Sequence, residues 1–361
     1  MTDLLLASLG WTADAEAAFA GQREAGLTPG RVALEHNHVY RVLTAEGEWL
    51  AEAAGRIKYL AEGRHELPAV GDWVALRPPS SGGRAVIKAI LPRRSKFSRK
   101  VAGHRTKEQV IAANIDTVFI VSSIEAFANV RSIERYLVLV RRSGAAPVVI
   151  LNKSDQADDP AAAVADVRRL APDVPVHAVS ARTGAGFEAV RAHLQPGRTV
   201  ALLGPSGSGK SSIVNRLVGS ELLATGEVRD WDSRGRHTSV HRQLVSLPGG
   251  GMVIDTPGMR ELQLWDADRG VDQTFTDVAA LAASCRFRDC RHDREPGCAV
   301  KAAVDAGTLD ADRFEGYSKI AREEEAFQKR QDERTLIESK RVGRIGAKAY
   351  RAHNKARGRS H

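Results

Sequence analysis

The sequence is poor in cysteine and has no long apolar run. Only three cysteines occur among 361 residues, and an odd number crowded between positions 285 and 298 makes a poor disulfide framework. Apolar runs such as 117–121 fall far short of the roughly 20 residues that a membrane-spanning helix needs. The first residues are acidic and lack the basic start of a secretory signal. We therefore expect a protein of a reducing, cytoplasmic setting with no membrane segment.

Positive charge is concentrated at one end of the chain. Residues 329–361 hold eleven Lys and Arg against three acids, so this segment carries +8 of the net charge of +9. Such a basic arm is typical of nucleic-acid binding, because its cations neutralise phosphates and release counterions. A solvated, disordered end is the alternative that the composition leaves open.

Three composition regimes predict a multidomain chain, long enough for each part to bury its own core. Residues 1–105 contain short alternating segments separated by turn residues, which predicts a small antiparallel barrel. In residues 106–272, buried-looking strands alternate with helical stretches, the pattern of an α/β domain with a parallel sheet. Residues 273–361 hold the cysteines, a helical stretch and the basic arm, so we expect a mainly helical C-terminal domain.

Residues 204–211 read GPSGSGKS and match the phosphate-loop pattern G-x-x-x-x-G-K-[ST]. The loop follows an apolar strand and precedes a helical stretch, which is the context that such a loop requires. Glycines let backbone N–H groups curl around a phosphate, Lys210 reaches the β- and γ-phosphates, and the Ser211 hydroxyl is a Mg²⁺ ligand. The predicted phosphate-binding residues are Gly204, Pro205, Ser206, Gly207, Ser208, Gly209, Lys210, Ser211 and Ser212.

A D-x-x-G motif closes a later apolar strand at residues 255–258. Asp255 is predicted to meet the metal through water, and the Gly258 N–H to contact the γ-phosphate. The intervening segment offers Thr238 as the hydroxyl that joins Mg²⁺ in the triphosphate state. Alone, D-T-P-G is also a good turn sequence, and its position after a phosphate loop is what favours the nucleotide interpretation.

The stretch LNKSD, residues 151–155, has the N-K-x-D pattern that reads guanine. Asp155 can accept hydrogen bonds from guanine N1–H and the exocyclic amine, which adenine lacks. The stem of Lys153 can lie over the base, and Asn152 sits at a strand end where ligands bind in open α/β sheets. Further on, SARTG at 180–184 offers the backbone of Ser180 and Ala181 to guanine O6.

Along the chain, the two base-reading motifs come first and the phosphate loop follows them. The two switch motifs, Thr238 and D-x-x-G, come last. N-K-x-D normally lies well downstream of the phosphate loop, so the order indicates a guanine-nucleotide fold that has been cut elsewhere and rejoined as a circular permutation. The segment after D-x-x-G then leads directly into the C-terminal domain.

Met259 follows D-x-x-G, at the position where familiar small GTPases use a glutamine to orient the attacking water. Methionine cannot do this, so intrinsic hydrolysis should be slow. His237, beside Thr238 and with His241 behind it, is our candidate for organising the water. A merely solvated switch-loop histidine is the open alternative. The predicted catalytic set is His237, Lys210 and Thr238.

The cysteines belong to a C-x4-C-x-H-x5-C pattern formed by Cys285, Cys290, His292 and Cys298. Three thiolates and one imidazole satisfy tetrahedral Zn²⁺ and leave no open position, so we predict one structural zinc ion. His36 and His38 lack a third ligand and are interpreted as surface residues.

These motifs together resemble the RsgA/YjeQ family of ribosome-small-subunit-dependent GTPases. The likeness covers nearly the whole chain and includes the permuted motif order, the C-x4-C-x-H-x5-C pattern and the basic helical tail. It implies an OB-type N-terminal barrel, a circularly permuted GTPase domain and a zinc domain, with GTP or GDP, Mg²⁺ and Zn²⁺ as ligands. It further implies a cytoplasmic monomer that binds the 30S subunit and its 16S rRNA in late maturation, with hydrolysis stimulated by the subunit and coupled to release.

In this resemblance His237 corresponds to the family's switch histidine. The family tends to have successive threonines after it, whereas here Ser239 follows Thr238. Two other functions are alternatives. A GTP-gated rRNA-binding module with negligible turnover is compatible with Met259. A phosphate-loop kinase for small molecules is disfavoured by the guanine motifs.

Overall fold

The computed structural model describes residues 2–80, 83–101, 107–125, 130–219, 243–255, 268–326 and 329. Backbone contacts divide the chain into two compact units, Met1–Trp265 and Asp266–His361. Within the described residues, no helix is both long enough and apolar enough to cross a membrane.

Five strands near the N-terminus close into a barrel. They are β1 (Thr28–His36), β2 (Val39–Thr44), β3 (Gly47–Ala53), β4 (Trp73–Arg77) and β5 (Ala85–Ile90). The pairing runs β1–β2–β3–β5–β4 and back to β1, with only the β3–β5 pair parallel. One short helix, α3 (Gly55–Leu60), follows β3. The short alternating segments of residues 1–105 are therefore confirmed as strands, and the barrel expected from the resemblance is present.

The barrel interior is built by alternation, since side chains one residue apart point to opposite faces of a strand. In β2, for example, Tyr40 and Val42 are buried between half-buried neighbours. Two helices precede the barrel, α1 (Thr2–Ser8) and α2 (Ala13–Glu24). They pack on it through an aromatic cluster in which Trp11 meets Trp73 edge-on, with ring centroids 4.6 Å apart. A ribbon of β6 (Lys96–Val101) and β7 (Lys107–Ala113) leads onward to the parallel sheet.

The central region is a six-stranded sheet in the order β10-β9-β8-β11-β13-β12, parallel except for β12. The sheet packs against helices that connect its strands, and its two faces carry separate apolar clusters. The strands are β8 (Thr117–Ser123), β9 (Ala146–Asn152), β10 (Val176–Ala178), β11 (Thr199–Leu203), β12 (Gln243–Ser246) and β13 (Met252–Asp255). The helices are α4 (Val130–Ser143), α5 (Pro160–Leu170), α6 (Phe187–Arg191) and α7 (Lys210–Val218).

Among the described residues, a strand contact and a buried cation help to join the barrel to the parallel sheet. Leu34 of β1 pairs with Gln243 of β12, so the two sheets are continuous. Arg31 has no exposed surface, and burial lowers its pKa to about 10. Its guanidinium donates to the carbonyl oxygen of Asn114 at 3.0 Å and reaches the sulfur of Met252, in β13, at 3.5 Å.

The described part of the C-terminal unit is mainly helical, with turns and bends over residues 283–298, where the cysteines lie. It contains α8 (Asp268–Thr274), α9 (Thr276–Ala282), α10 (Ala299–Asp305) and helical backbone over residues 311–326. The Arg313 guanidinium bonds both carboxylate oxygens of Asp277 at 3.0 Å and lies 4.4 Å from the centroid of the Phe275 ring. Most of the basic arm, residues 330–361, falls outside the described residues.

Candidate functional site

The predicted nucleotide motifs follow four strands of the parallel sheet. The N-K-x-D motif begins at the last residue of β9, the SARTG loop (residues 180–184) comes after β10, and the phosphate loop (residues 204–211) comes after β11. Asp255 is the last residue of β13. Because these strands are mutually parallel, their carboxyl ends share one edge, which is where open α/β sheets bind ligands.

The phosphate loop is held in shape by its own lysine. Lys210, the first residue of α7, donates from Nζ to the carbonyl oxygens of Gly204 at 2.9 Å and Pro205 at 2.6 Å. The Ser208 hydroxyl donates to the same Pro205 carbonyl at 3.0 Å. The ammonium therefore lies across the loop at the start of a helix, where unpaired N–H groups favour an anion. This geometry suits a phosphate group.

Asn152 braces the phosphate loop against the SARTG loop. Its side chain is 2% exposed, its Nδ2 donates to the Ser208 carbonyl at 2.9 Å, and its Oδ1 accepts the Ala181 N–H at 3.0 Å. Gly209 has a φ of +88°, and a Cβ there would overlap with the Asn152 amide. Glycine is thus required at 209 both by backbone conformation and by the neighbouring side chain.

The Asp155 carboxylate is positioned by two donors. The Ser180 hydroxyl donates to Oδ1, and Arg182 pairs with Oδ2 at 2.7 Å. These contacts leave 13% of the Asp155 side chain exposed. The hydrogen bond from Ser180, aided by Arg182, lowers the pKa of Asp155 below its ordinary value. The carboxylate therefore stays ionised at neutral pH, the form that accepts two hydrogen bonds from a guanine edge.

Lys153 adopts the left-handed conformation, with φ +63° and ψ +36°. The residue lies between β9 and a 3-10 turn at Ser154–Gln156 and so redirects the chain. The Ser154 N–H then bonds the Val179 carbonyl at 3.0 Å, which holds the turn beside the SARTG loop. A non-glycine residue in this conformation carries strain, and such residues are concentrated at functional sites.

The cysteine motif is brought together as a compact cluster. Within the described residues, Cys285, Cys290, His292 and Cys298 form the one group with three or more potential metal ligands, their ligand atoms all within 4.8 Å of one another. His292 Nδ1 lies 3.6 Å from Cys285 Sγ and 3.4 Å from Cys298 Sγ, and these two sulfurs are 3.9 Å apart. A tetrahedral zinc ion with ordinary bond lengths would separate its ligands by about 3.5–3.8 Å. The residues fit such an ion.

An open groove is lined by residues outside these motifs. It has a volume of about 690 Å³ and runs between α5, β10 and the start of α6, with Arg168, Arg169 and His177 among its lining residues. None of the predicted nucleotide-binding or metal-binding residues that the structure describes is among its lining residues. The groove is therefore distinct from the predicted nucleotide site.

The comparisons with known proteins agree with this geometry. The model of the RsgA GTPase family matches residues 90–265. A protein of Opitutus terrae called small ribosomal subunit biogenesis GTPase RsgA is 50% identical over 338 residues, which are 91% of this chain and 92% of that protein. This chain belongs to the RsgA GTPase family. The family and the GTPase activity expected from the sequence are confirmed.

Two solved structures support the family fold. YjeQ from Thermotoga maritima is 27% identical, with a TM-score of 0.64 over 82% of this chain and 98% of that one. YloQ, described as a circularly permuted GTPase, has a TM-score of 0.60 over 83% of this chain and 96% of that one. At 24% identity, YloQ supports the fold alone.

The structure of this RsgA-family chain brings together most, though not all, of the predicted site. The N-K-x-D residues, the SARTG loop, the phosphate loop and Asp255 are described, and Asn152 of the N-K-x-D motif bonds both loops. His237, Thr238 and Gly258 lie outside the described residues. In the segment predicted to contact guanine O6, the Ala181 N–H donates to Asn152 Oδ1 and the Ser180 N–H donates to the Ala185 carbonyl.

Sequence reasoning missed two arginines of the site. Arg182 lies within the SARTG motif. The available signal was a positive charge in a loop predicted to lie beside the Asp155 carboxylate. Arg216 lies on α7, beyond the phosphate-loop pattern. Only the folded structure shows that this helix contacts the SARTG loop. No sequence signal pointed to it.

Proposed function

We propose that this chain is a GTP hydrolase acting in late maturation of the 30S ribosomal subunit, with hydrolysis stimulated by the subunit and coupled to release. The observation that supports it most is the assembly of a base-reading carboxylate and a phosphate loop at one sheet edge. The near full-length relative in Opitutus terrae, named as a small ribosomal subunit biogenesis GTPase, supports the choice of partner.

In this proposal the nucleotide lies along the carboxyl edge of the sheet. Asp155 accepts from guanine N1–H and the exocyclic amine, and guanine must share or displace the Arg182 contact to do so. Lys210 and the loop N–H groups hold the phosphates. Ser211 and Thr238 would hold Mg²⁺, which would supply positive charge to offset that of the transferred phosphoryl group. Asp255 would reach the metal through water, and the Gly258 N–H contacts the γ-phosphate. His237 organises the attacking water.

The remaining parts serve binding to the subunit. We propose three functional parts, an OB-type barrel in residues 1–105, the permuted GTPase domain in 106–272 and a zinc domain with its basic tail in 273–361. A structural zinc ion, held by the four clustered ligands, stabilises the zinc domain. The barrel, the zinc domain and the basic arm contact 16S rRNA, mostly by shape and backbone phosphates. The protein acts as a cytoplasmic monomer.

One observation favours a second candidate. Met259 stands where an attacking water would ordinarily be oriented by glutamine. A GTP-gated rRNA-binding module with negligible turnover would need no such group. It would bind GTP and the subunit without releasing phosphate faster when the subunit is present.

Phosphate release from GTP separates the two candidates. The purified chain is assayed alone, with 30S subunits and with 50S subunits, and Lys210→Ala serves as the inactive control. The proposal predicts strong stimulation by 30S that is absent with 50S. GTP-dependent 30S binding without stimulation would favour the non-hydrolytic module. Absence of both 30S binding and stimulation would contradict both candidate functions, since each requires the small subunit.

A further inference from the structure

One guanidinium holds three consecutive carbonyls of the SARTG loop. Arg216 lies on α7, the helix that begins at the phosphate-loop lysine. Its Nη1 donates to the carbonyl oxygens of Ala181 at 3.1 Å and Arg182 at 3.3 Å. Its Nη2 donates to the carbonyl of Thr183 at 3.0 Å. A planar guanidinium with several fixed donors is suited to such a convergence, whereas a lysine ammonium is a point charge without that fork.

The surroundings of Arg216 keep its guanidinium in this place. The group lies 5.6 Å from the centroid of the Phe187 ring, within the range of a cation–π interaction. Gly184 has a φ of +92°, and a Cβ on it would overlap with Arg216 Nη2. The Gly184 N–H bonds the Ser180 carbonyl at 2.8 Å and closes the loop around the guanidinium. The loop conformation and the Arg216 position therefore depend on each other.

The held loop carries the groups that orient the base-reading carboxylate. Ser180 donates to Asp155, and the Ala181 N–H donates to Asn152. Arg216 therefore connects the base-reading side of the site to α7, whose first residue is Lys210 of the phosphate loop. Asn152 makes the second connection, through the Ser208 carbonyl. With two connections, the separation between the base and phosphate subsites is fixed.

We propose that Arg216 is a positioning residue for guanine recognition. It holds the SARTG loop against the phosphate-loop helix so that Ser180 and Asp155 meet the base while the phosphates are bound. It acts through the loop carbonyls and does not touch the nucleotide. This inference rests on the proposed binding of guanine nucleotides at the site.

The test is equilibrium binding of GDP and ADP to the full-length chain with Mg²⁺. Wild type is compared with Arg216→Met, Arg216→Lys and Gly184→Ala, and Arg191→Ala on the exposed side of α6 is the matched arginine control. We expect Arg216→Met to weaken GDP binding by roughly 10- to 100-fold, because small misplacements of binding groups have effects of that size. ADP binding, which relies on the phosphate loop, should change little.

The ratio of GDP affinity to ADP affinity distinguishes a positioning role from a general loss of structure. Arg216→Lys should recover part of the GDP preference, Gly184→Ala should lose it without removing any charge, and Arg191→Ala should match wild type. Equal weakening of GDP and ADP by the Arg216 and Gly184 variants would overturn the inference, as would an unchanged ratio in folded Arg216→Met. If Arg216→Met does not fold, the ratios of the lysine and Gly184→Ala variants decide. A wild type without any preference for GDP over ADP would instead refute the proposed function.

Discussion

A buried ion pair beside the junction of the barrel and the parallel sheet allows a quantitative prediction. The Asp72 carboxylate is fully buried, and Arg93 is 15% exposed. Arg93 donates from Nε and Nη2 to the two carboxylate oxygens, each at 2.7 Å, and the Ala69 N–H adds a third bond at 2.7 Å. The remaining Arg93 donors bond the carbonyls of His65 and Leu67 at 2.7 and 3.0 Å.

Replacing Asp72 by Asn keeps the side-chain shape and removes the charge. The Arg93 guanidinium is then mostly buried without a counter-charge. The amide that replaces the carboxylate also turns its N–H₂ group toward the Arg93 donors. Losing one partner of a buried pair costs about 3–5 kcal/mol. At about 2–4 °C per kcal/mol for a unit of this size, the Tm should fall by roughly 6–20 °C.

Thermal unfolding followed by circular dichroism measures this effect. Glu52→Gln is the matched acid-to-amide control, since Glu52 pairs with Arg84 and both side chains are more than 40% exposed. Exposed pairs contribute about 0–1 kcal/mol, so this control should unfold close to wild type. The Asp72→Asn/Arg93→Met double variant should regain part of the loss, because it leaves no unpaired buried charge. The reasoning is refuted if Asp72→Asn unfolds no earlier than Glu52→Gln.

Three further predictions concern the metal, the phosphates and pH. Cys298→Ser should reduce bound zinc from one ion per chain to a substoichiometric amount, measured by elemental analysis; full retention of zinc would contradict the tetrahedral site. Lys210→Ala should weaken GTP binding by roughly 10- to 100-fold, because it removes a charged hydrogen bond, and unchanged affinity in a titration would argue against the phosphate loop. Burial lowers the pKa of both His177 and His193, whose Nε2 atoms lie 3.1 Å apart. The folded state therefore binds protons less readily than the unfolded chain, and the stability from this pair is present above about pH 6.5 and lost as pH falls below it. His193→Asn should flatten that part of the pH dependence of Tm, and a profile parallel to wild type would exclude this origin.

The sequence was enough to predict the barrel strands and the parallel strands that carry the motifs, though not the β6–β7 ribbon between them. Alternation in residues 31–91 located all five barrel strands, because one face of each lines the core. The apolar runs ending at Asn152, Leu203 and Asp255 became parallel strands because both of their faces are covered. The guanine and phosphate motifs then had to meet at one edge, whatever their order in the chain.

Long-range side-chain contacts could not be predicted in this way. Arg31 reads as an ordinary strand residue, yet it is fully buried at the junction of barrel and sheet. Arg216 reads as a polar position on an amphipathic helix, yet it bonds a loop more than 30 residues earlier. Both depend on which segments the topology brings together, and neither local propensity nor periodicity carries that information.

The central claim is that a carboxylate upstream of the phosphate loop reads the base. Asp155→Asn tests it most directly, with GDP and xanthosine diphosphate as paired ligands and the exposed Asp158→Asn as control. Xanthine carries a carbonyl in place of the guanine amine, so an amide at 155 can donate to it and accept from N1–H. The account predicts that Asp155→Asn loses GDP affinity by at least about 100-fold and binds xanthosine diphosphate in preference, while the control keeps the preference for GDP. Wild-type GDP binding by folded Asp155→Asn would contradict it.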